Sequence, residues 1–141
     1  MKTAVRFFSR GGNTQKLALA IAGAVDAQPK PIPEPITEKT DLLFLGASIY
    51  AGGVDAAVRN YINTLDPSMV GEVVVFSTAA IKTSAFAQMQ KLLMARGLRV
   101  SDREFHCRGQ FTALHRGRPN ADDLAQAKAF ASQFMQQGVA K

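Results

Sequence analysis

The amino-acid sequence predicts a three-layer α/β/α sandwich built on a parallel sheet of about five strands. Short apolar segments of strand length alternate with segments in which apolar residues recur at helical spacing, and two of the strand segments are apolar at nearly every position. A strand that is apolar on both faces is typical of a parallel sheet covered by helices on both sides. With 141 residues, 47% of them hydrophobic, the chain suits a single domain over residues 1–141.

The first strand and helix are predicted from the start of the chain. Thr3 to Phe8 is apolar and rich in β-branched and aromatic residues, and a cluster of turn-forming residues ends it. From Thr14 to Val25 an apolar residue recurs every four positions, which indicates a helix. Residues 26–41 hold four of the six prolines, so this segment is either an edge strand or an extended linker.

The rest of the chain continues the alternation of strand and helix. The remaining predicted elements are, in order, a central strand at Leu42 to Ala47, a helix from Val54 to Leu65, a second central strand at Glu72 to Ser77, a helix from Ser84 to Arg96, a strand within Leu98 to Cys107 and a helix that opens at Asn120. Crossovers between parallel strands are right-handed, which places helices on both faces of the sheet.

Charge and cysteine usage narrow the function classes. The net charge is +6, with six arginines from Arg96 to Arg118, a pattern that suits an acidic partner or an anionic small molecule and equally suits a solvated basic face with no partner. Nucleic-acid binding is not expected, because basic and aromatic residues interleave only locally. No apolar run approaches the ~20 residues of a membrane span. The single cysteine, Cys107, excludes a disulfide framework and fits a reducing compartment, so we expect a cytoplasmic protein.

A metal site is not expected either. His106, Cys107 and His115 lack the ligand spacing of a tetrahedral site. Cys107 is interpreted as a structural thiol rather than a nucleophile, because nothing in the sequence establishes the low pKa that a reactive thiolate needs.

Ligands of open parallel sheets bind beyond the carboxyl ends of the strands, which directs attention to three loops. The first loop runs from Ser9 to Thr14, the second from Ser48 to Gly53 and the third from Ser77 to Lys82. The first loop combines hydroxyl and amide side chains with two glycines at a helix N-terminus, a pattern that favours a phosphate. The same composition also caps a helix with nothing bound. Neither a dinucleotide-binding glycine motif nor a nucleoside-triphosphate loop is present.

Three segments of the chain resemble flavodoxins: Phe8-Ser9-Arg10-Gly11-Gly12-Asn13-Thr14, Asp41 to Tyr50, and Phe76-Ser77-Thr78. The family favours Ser/Thr-x-Ser/Thr-Gly-Asn-Thr in the first loop, and here Gly11 replaces the middle hydroxyl residue. The resemblance implies a five-stranded parallel sheet of order 2-1-3-4-5. It also implies noncovalently bound flavin mononucleotide (FMN), with the phosphate on the first loop and the ring between the second and third loops.

Carried over by position, the resemblance implies two sets of cofactor-binding residues and no catalytic side chain or metal. The phosphate set is Ser9, Arg10, Gly11, Gly12, Asn13 and Thr14, and the ring set is Ser48, Ile49, Tyr50, Ala51, Gly52, Ser77, Thr78, Ala79 and Ala80. Within the ring set, Tyr50 is the stacking candidate, because an aromatic face buries large apolar area against a flat ring.

Three functions follow from the resemblance. The first is electron transfer between FMN and a protein redox partner, which makes the chain an electron carrier more than a stand-alone enzyme. The second is an FMN-dependent oxidoreductase that acts directly on a quinone or a protoporphyrinogen, and the third is a scaffold without cofactor.

Between Ser48 and Val54, and between Ser77 and Ser84, the chain has no Asp or Glu. Less negative charge near the ring predicts a less negative second reduction potential than acidic relatives have.

Overall fold

The computed structural model describes residues 1–50, 53–79, 84–109 and 117–140, and in this part of the chain strands and helices alternate except for three consecutive strands between the first two helices. The elements are β1 Thr3–Phe7, α1 Asn13–Val25, β2 Pro29–Pro31, β3 Thr40–Tyr50, β4 Gly53–Val54, α2 Ala56–Ile62, β5 Val70–Ala79, α3 Phe86–Ala95, β6 Phe105–Arg108 and α4 Ala121–Ala140. None of the helices in the described part of the chain is long and apolar enough to cross a membrane.

Five parallel strands form the sheet in the order β2-β1-β3-β5-β6, and β4 pairs antiparallel with the end of β3. Counted without β4, this is the predicted order 2-1-3-4-5. The proline-rich segment, predicted as either an edge strand or an extended linker, contains the edge strand β2. β4 was not predicted. Its residue Val54 was expected to open the second helix, but α2 begins at Ala56 with Asp55 as its N-cap.

The sheet carries a core on each face, because successive side chains of a strand point to opposite sides. Leu43, Leu45, Val73 and Val75 point towards α2 and α3. The alternate residues of the same strands, with Phe44 and Val74 among them, point towards α1 and α4. This alternation also decides which residues at the strand ends face α1, and therefore which side chains meet the first loop.

Gly46 in β3 allows the aromatic ring of Phe76 to lie across the strand. A Cβ atom at this position would stand 2.1 Å from a carbon of the Phe76 ring, although the backbone of Gly46 itself is an ordinary strand. Close approach, and not backbone freedom, is therefore the reason for glycine here. Phe76 is completely buried by this arrangement, directly below the end of the strand where the second loop begins.

The connection from β2 to β3 contains no helix, and two side chains from the sheet and α2 hold it in place. Arg6 is buried and donates to the carbonyl oxygens of Glu34 and Pro35 at 3.0 Å each. The Tyr61 hydroxyl donates to the carbonyl of Glu34 at 2.8 Å. Burial raises the pKa of Tyr61, so the hydroxyl keeps its proton. A groove of about 440 Å³ lies beside this segment, lined mainly by apolar atoms.

Candidate functional site

The strand ends that lead into the three predicted loops lie together at the carboxyl edge of the sheet. β1, β3 and β5 are neighbouring and parallel, so their carboxyl ends lie side by side near the N-terminus of α1. The end of β6 reaches the same place, since the backbone of Gly109 donates to the carbonyl of Ala79 at 3.2 Å. A Cβ atom on Gly109 would stand 2.8 Å from Nδ2 of Asn13, so this backbone closes against the first loop.

The first loop leaves the N-terminus of α1 open. Gly12 is the N-cap, with φ at +90°, and it offers no side chain to the amides of the first turn. The Ser9 hydroxyl accepts a hydrogen bond from the Gly12 amide at 2.9 Å and thereby fixes the turn. No acidic residue lies in the first turn of α1. The N-cap residue therefore supplies no side-chain bond, and the first turn no carboxylate, to the positive end of the helix dipole.

Two glycines border open space at this helix end. Among the described residues, no heavy atom lies within 4 Å of a Cβ atom built on Gly11 or Gly12. At Gly12 the left-handed backbone explains the glycine, but Gly11 lies outside that region and no contact within the described part of the chain requires it. The glycine at position 11 therefore leaves room beside the first-turn amides, which is the space that an anion bound there would take.

Three buried hydroxyls join the first loop to the ends of β3 and β5. Thr14 Oγ1 lies 2.6 Å from Ser48 Oγ and 2.9 Å from Thr78 Oγ1. Ser48 and Thr78 are 3.5 Å apart, which is too long for a strong bond. All three residues are at most 5% exposed. This hydroxyl cluster holds the three strand ends at fixed positions, and it occupies the Thr14 side chain that was predicted to hold phosphate.

Three residues of the predicted ring set turn their side chains into the core on the α2 and α3 face. Ile49 and Ala79 pack in the apolar cluster there. Ser77 is fully buried, and its hydroxyl accepts from the Ala85 amide at 3.3 Å, at the start of α3. A cofactor at this edge could meet only backbone groups of these residues. One such group, the Ala79 carbonyl, is already taken by Gly109.

Four residues of the predicted ring set cannot be placed. Ala51, Gly52 and Ala80 lie outside the described residues, as does the side chain of Tyr50. The stacking role of Tyr50 stays a prediction. Tyr50 ends β3, which pairs with β4, and α3 holds β4 in place because Gln88 Oε1 accepts a hydrogen bond from the Val54 amide at 3.0 Å.

An ion pair that the sequence did not predict joins the first loop to α2. The Arg10 guanidinium contacts Asp55 Oδ2, while Asp55 Oδ1 accepts from the Ala57 amide at 2.9 Å. The hydrogen bond from Ala57, together with the contact and charge of Arg10, holds the pKa of Asp55 below its ordinary value. The sequence contained one signal for Asp55, since aspartate directly before a helix is a favoured N-cap. Nothing in the spacing indicated that Arg10 would reach it.

Of the residues considered for other chemistry, the structure describes His106 and Cys107, both on β6, where Cys107 lies in register with Thr78. Burial, followed by the nearby charge of Asp123, raises the pKa of Cys107 to about 12, so the thiol carries its proton at neutral pH. His106 Nδ1 lies 2.7 Å from Glu104 Oε1 on an exposed part of β6, and His115 lies outside the described residues. Among the residues that the structure describes, no three His, Cys, Asp or Glu side chains stand close enough together to hold a metal.

Comparison with known proteins assigns the chain to a family. A model of the flavodoxin domain matches residues 4–115. The chain belongs to the flavodoxin domain family. An uncharacterised protein of Methanocaldococcus jannaschii is 28% identical, and the match covers 87% of this chain and 90% of that protein.

Solved structures of flavodoxins share the fold. A flavodoxin from the domain Archaea superposes with a TM-score of 0.79 at 14% identity, over 97% of this chain and 98% of its own. A flavoprotein of Lactobacillus acidophilus, solved in complex with FMN, superposes with a TM-score of 0.60 at 18% identity, over 76% of this chain and 92% of its own. The predicted flavodoxin-like fold is thereby confirmed.

Proposed function

We propose that this flavodoxin-domain protein binds FMN and exchanges electrons with a protein partner. The observation that carries the proposal is the open N-terminus of α1: an N-cap without a side chain, a first turn without acidic residues and open space at Gly11 and Gly12. Helix amides with no partner in their own helix, together with the dipole, favour a phosphate. Family membership and the likeness to a flavoprotein that binds FMN support the choice of anion.

The residues at this edge fit the phosphate end of FMN. Two glycines leave room for phosphate oxygens, first-turn amides can donate to them, and Arg10 supplies a positive charge beside the loop. Gly11 provides no hydroxyl at the position where the family favours one, so backbone donors and Arg10 would have to make up that contact.

When bound, the flavin supplies the redox chemistry, and the protein's task is to hold it and to control its surroundings. The hydroxyl cluster fixes the relative positions of the first loop and the two strand ends from which the second and third loops depart. Ser48, Ile49, Ser77, Thr78 and Ala79 then border the ring chiefly through their backbones. Tyr50, Ala51, Gly52 and Ala80 complete the proposed ring site.

An acidic redox partner is the complement of the charge on this chain. The net charge is +6, and Arg96, Arg99 and Arg103, which precede β6, are exposed. Charge complementarity would accelerate encounter and make it sensitive to salt. The single, unpaired Cys107 supports a reducing setting such as the cytoplasm.

The first experiment is reconstitution with FMN. The purified protein, stripped of bound ligand, is titrated with FMN and followed by flavin fluorescence, with riboflavin as the matched ligand that lacks the phosphate. We expect saturable binding of FMN that is at least tenfold tighter than that of riboflavin and that strengthens as pH rises through about 6, where the second phosphate proton leaves. Equal affinity for FMN and riboflavin would show that the first loop does not bind the phosphate. If neither ligand bound, the chain would be a scaffold without cofactor.

A second experiment separates the electron carrier from the direct oxidoreductase. The FMN-loaded protein is reduced and mixed with quinones and with an acidic one-electron acceptor protein at low and high ionic strength, and the oxidised FMN-loaded protein is mixed with a protoporphyrinogen as electron donor. Rapid, salt-sensitive oxidation by the acidic protein alone is the expected result. Steady-state turnover with a small substrate, insensitive to salt, would instead assign the chain to the oxidoreductases.

A further inference from the structure

We propose that Asp55 is an internal competitor for the cofactor phosphate: it holds Arg10 while the site is empty and yields Arg10 when a phosphomonoester binds. Asp55 would thereby set how tightly, and how selectively, the first loop takes a doubly charged ligand. This inference rests on the proposed binding of FMN. It adds Asp55 to the site and predicts that its carboxylate weakens FMN binding, and family membership supplies neither statement.

The geometry makes Asp55 the fixed member of the pair and Arg10 the movable one. The Asp55 side chain is 15% exposed and is anchored as the N-cap of α2 by its bond from the Ala57 amide. The Arg10 side chain is 62% exposed and extends from a loop. A long, exposed arginine exchanges partners at little cost, because exposed ion pairs contribute only about 0.2–1 kcal/mol.

The charges favour such an exchange. Asp55 is ionised at neutral pH, and the charge of Arg59 also lowers its pKa. Arg59 donates to the Val54 carbonyl at 3.4 Å, so it stays beside Asp55 whatever Arg10 does. Asp55 would therefore retain a cationic neighbour after Arg10 leaves, and its carboxylate would remain satisfied by the Ala57 amide.

The incoming ligand is the stronger anion. A phosphomonoester carries a charge of about −1.5 to −2 at pH 7 and three acceptor oxygens, against one charge on a carboxylate. The guanidinium recognises either anion through paired N–H donors. A dianion beside the open end of α1 would draw Arg10 away from Asp55, whereas riboflavin, which lacks the phosphate, would leave the pair intact.

The test is a double-mutant cycle on FMN affinity with Arg10→Ala and Asp55→Asn. Asparagine keeps an acceptor oxygen for the α2 cap and removes only the charge. We expect D55N to bind FMN about 2–5-fold more tightly, corresponding to the release of an exposed ion pair. R10A is expected to bind about tenfold more weakly. In the R10A background, D55N is expected to change FMN affinity less than twofold.

Two controls confine the effect to this pair and to the phosphate. Riboflavin affinity should be the same in all four proteins. Asp66→Asn removes the same charge from a residue that precedes β5, at the amino edge of the sheet, and keeps an acceptor for its own bond from the Ser68 amide. FMN affinity of D66N should equal that of the wild type, because a charge so far away is screened.

Two outcomes would overturn the exchange while leaving FMN binding in place. If D55N weakens FMN binding, Asp55 aims Arg10 at the phosphate and does not compete with it. If D55N strengthens binding equally or more in the R10A background, the carboxylate repels the phosphate directly and Arg10 is not the intermediary. Failure of the wild-type protein to bind FMN would overturn the proposed function and this inference together, so the two failures are distinguishable.

Discussion

Two sets of contacts tie the first loop to the rest of the flavodoxin domain, and they differ in nearly every physical property. The hydroxyl cluster of Thr14, Ser48 and Thr78 is buried and uncharged, and its bonds stay within the protein. The pair of Arg10 and Asp55 is charged, and its arginine is mostly exposed. The first set can change partners only by opening the fold, whereas the second can exchange with an ion from solution.

The contrast separates what holds the site together from what selects its ligand. A buried hydroxyl left without a partner costs about 1–3 kcal/mol, because it has lost its bonds to water. An exposed ion pair contributes much less to stability but responds to every nearby charge. We therefore expect variants of the hydroxyl cluster to lose stability, and variants of the ion pair to change ligand affinity with stability almost intact.

The largest effect is expected from Thr14→Val, which keeps the shape of the side chain and removes the hydroxyl shared by the cluster. Ser48 and Thr78 would be left with each other at 3.5 Å, so the free energy of unfolding should fall by about 2–3 kcal/mol. Urea unfolding at pH 7 measures the loss. Thr3→Val is the matched control, since its hydroxyl donates to the Val25 carbonyl from a half-buried position. If T3V lost as much unfolding free energy as T14V, the hydroxyl cluster would contribute no more to stability than a single hydrogen bond of a half-buried threonine.

Ser48→Ala is expected to cost less, about 1 kcal/mol, because Thr14 keeps its 2.9 Å bond to Thr78. The double variant T14V/S48A should lose less than the sum of the two single losses, since contacting residues share the same bonds. Urea unfolding of the three variants gives the coupling energy. Strict additivity would mean that the two hydroxyls do not interact in solution.

The sheet and the helices were predictable because they depend on patterns within single segments. The all-apolar stretch at residues 42–47 predicted a strand buried on both faces, and Leu43, Phe44 and Leu45 are fully buried. Four prolines predicted an edge strand or an extended linker, and the structure has β2 as an edge strand. The hairpin strand β4 escaped prediction because Val54 fits a helical spacing as well as a two-residue strand, and pairing with β3 decided between them.

The candidate site was predictable in its location but not in its contacts. Strand ends of a parallel sheet always meet at one edge, which is why the three loops could be named from sequence. Thr14 is 34 positions from Ser48 and 64 positions from Thr78 in the sequence. Their contact depends on the register of β3 with β5 and on the face of the sheet to which each side chain points. Asp55 joined the site because the short β4 places the start of α2 beside Arg10, which no local pattern encodes.

Gly11→Ser tests the ligand side of the comparison by restoring the hydroxyl residue that the family favours at this position. The open space at Gly11 and its backbone outside the left-handed region accept a serine, so stability should change by less than about 0.5 kcal/mol. One added hydrogen bond of about 1 kcal/mol should tighten FMN binding roughly fivefold, with riboflavin unaffected. Fluorescence titration decides the matter, and an equal gain for riboflavin would place the serine near the ring instead of the phosphate.

The smallest effect concerns Asp55 and pH. Because the pKa of Asp55 in the folded protein is below its ordinary value of about 3.9, its carboxylate stabilises the fold fully above about pH 4, and this contribution is lost as pH falls through the folded pKa. The difference in unfolding free energy between wild type and Asp55→Asn should stay below about 1 kcal/mol, hold constant from pH 7 to 5, and shrink in more acidic solution. Urea unfolding at pH 3 to 7 tests this.

Since the Ala57 amide is the main cause of the lowered pKa of Asp55, Arg10→Ala should retain most of the same pH dependence. If R10A abolished it, the ion pair rather than the helix cap would be what holds the carboxylate ionised, and the view of Asp55 as a fixed anchor would have to be given up.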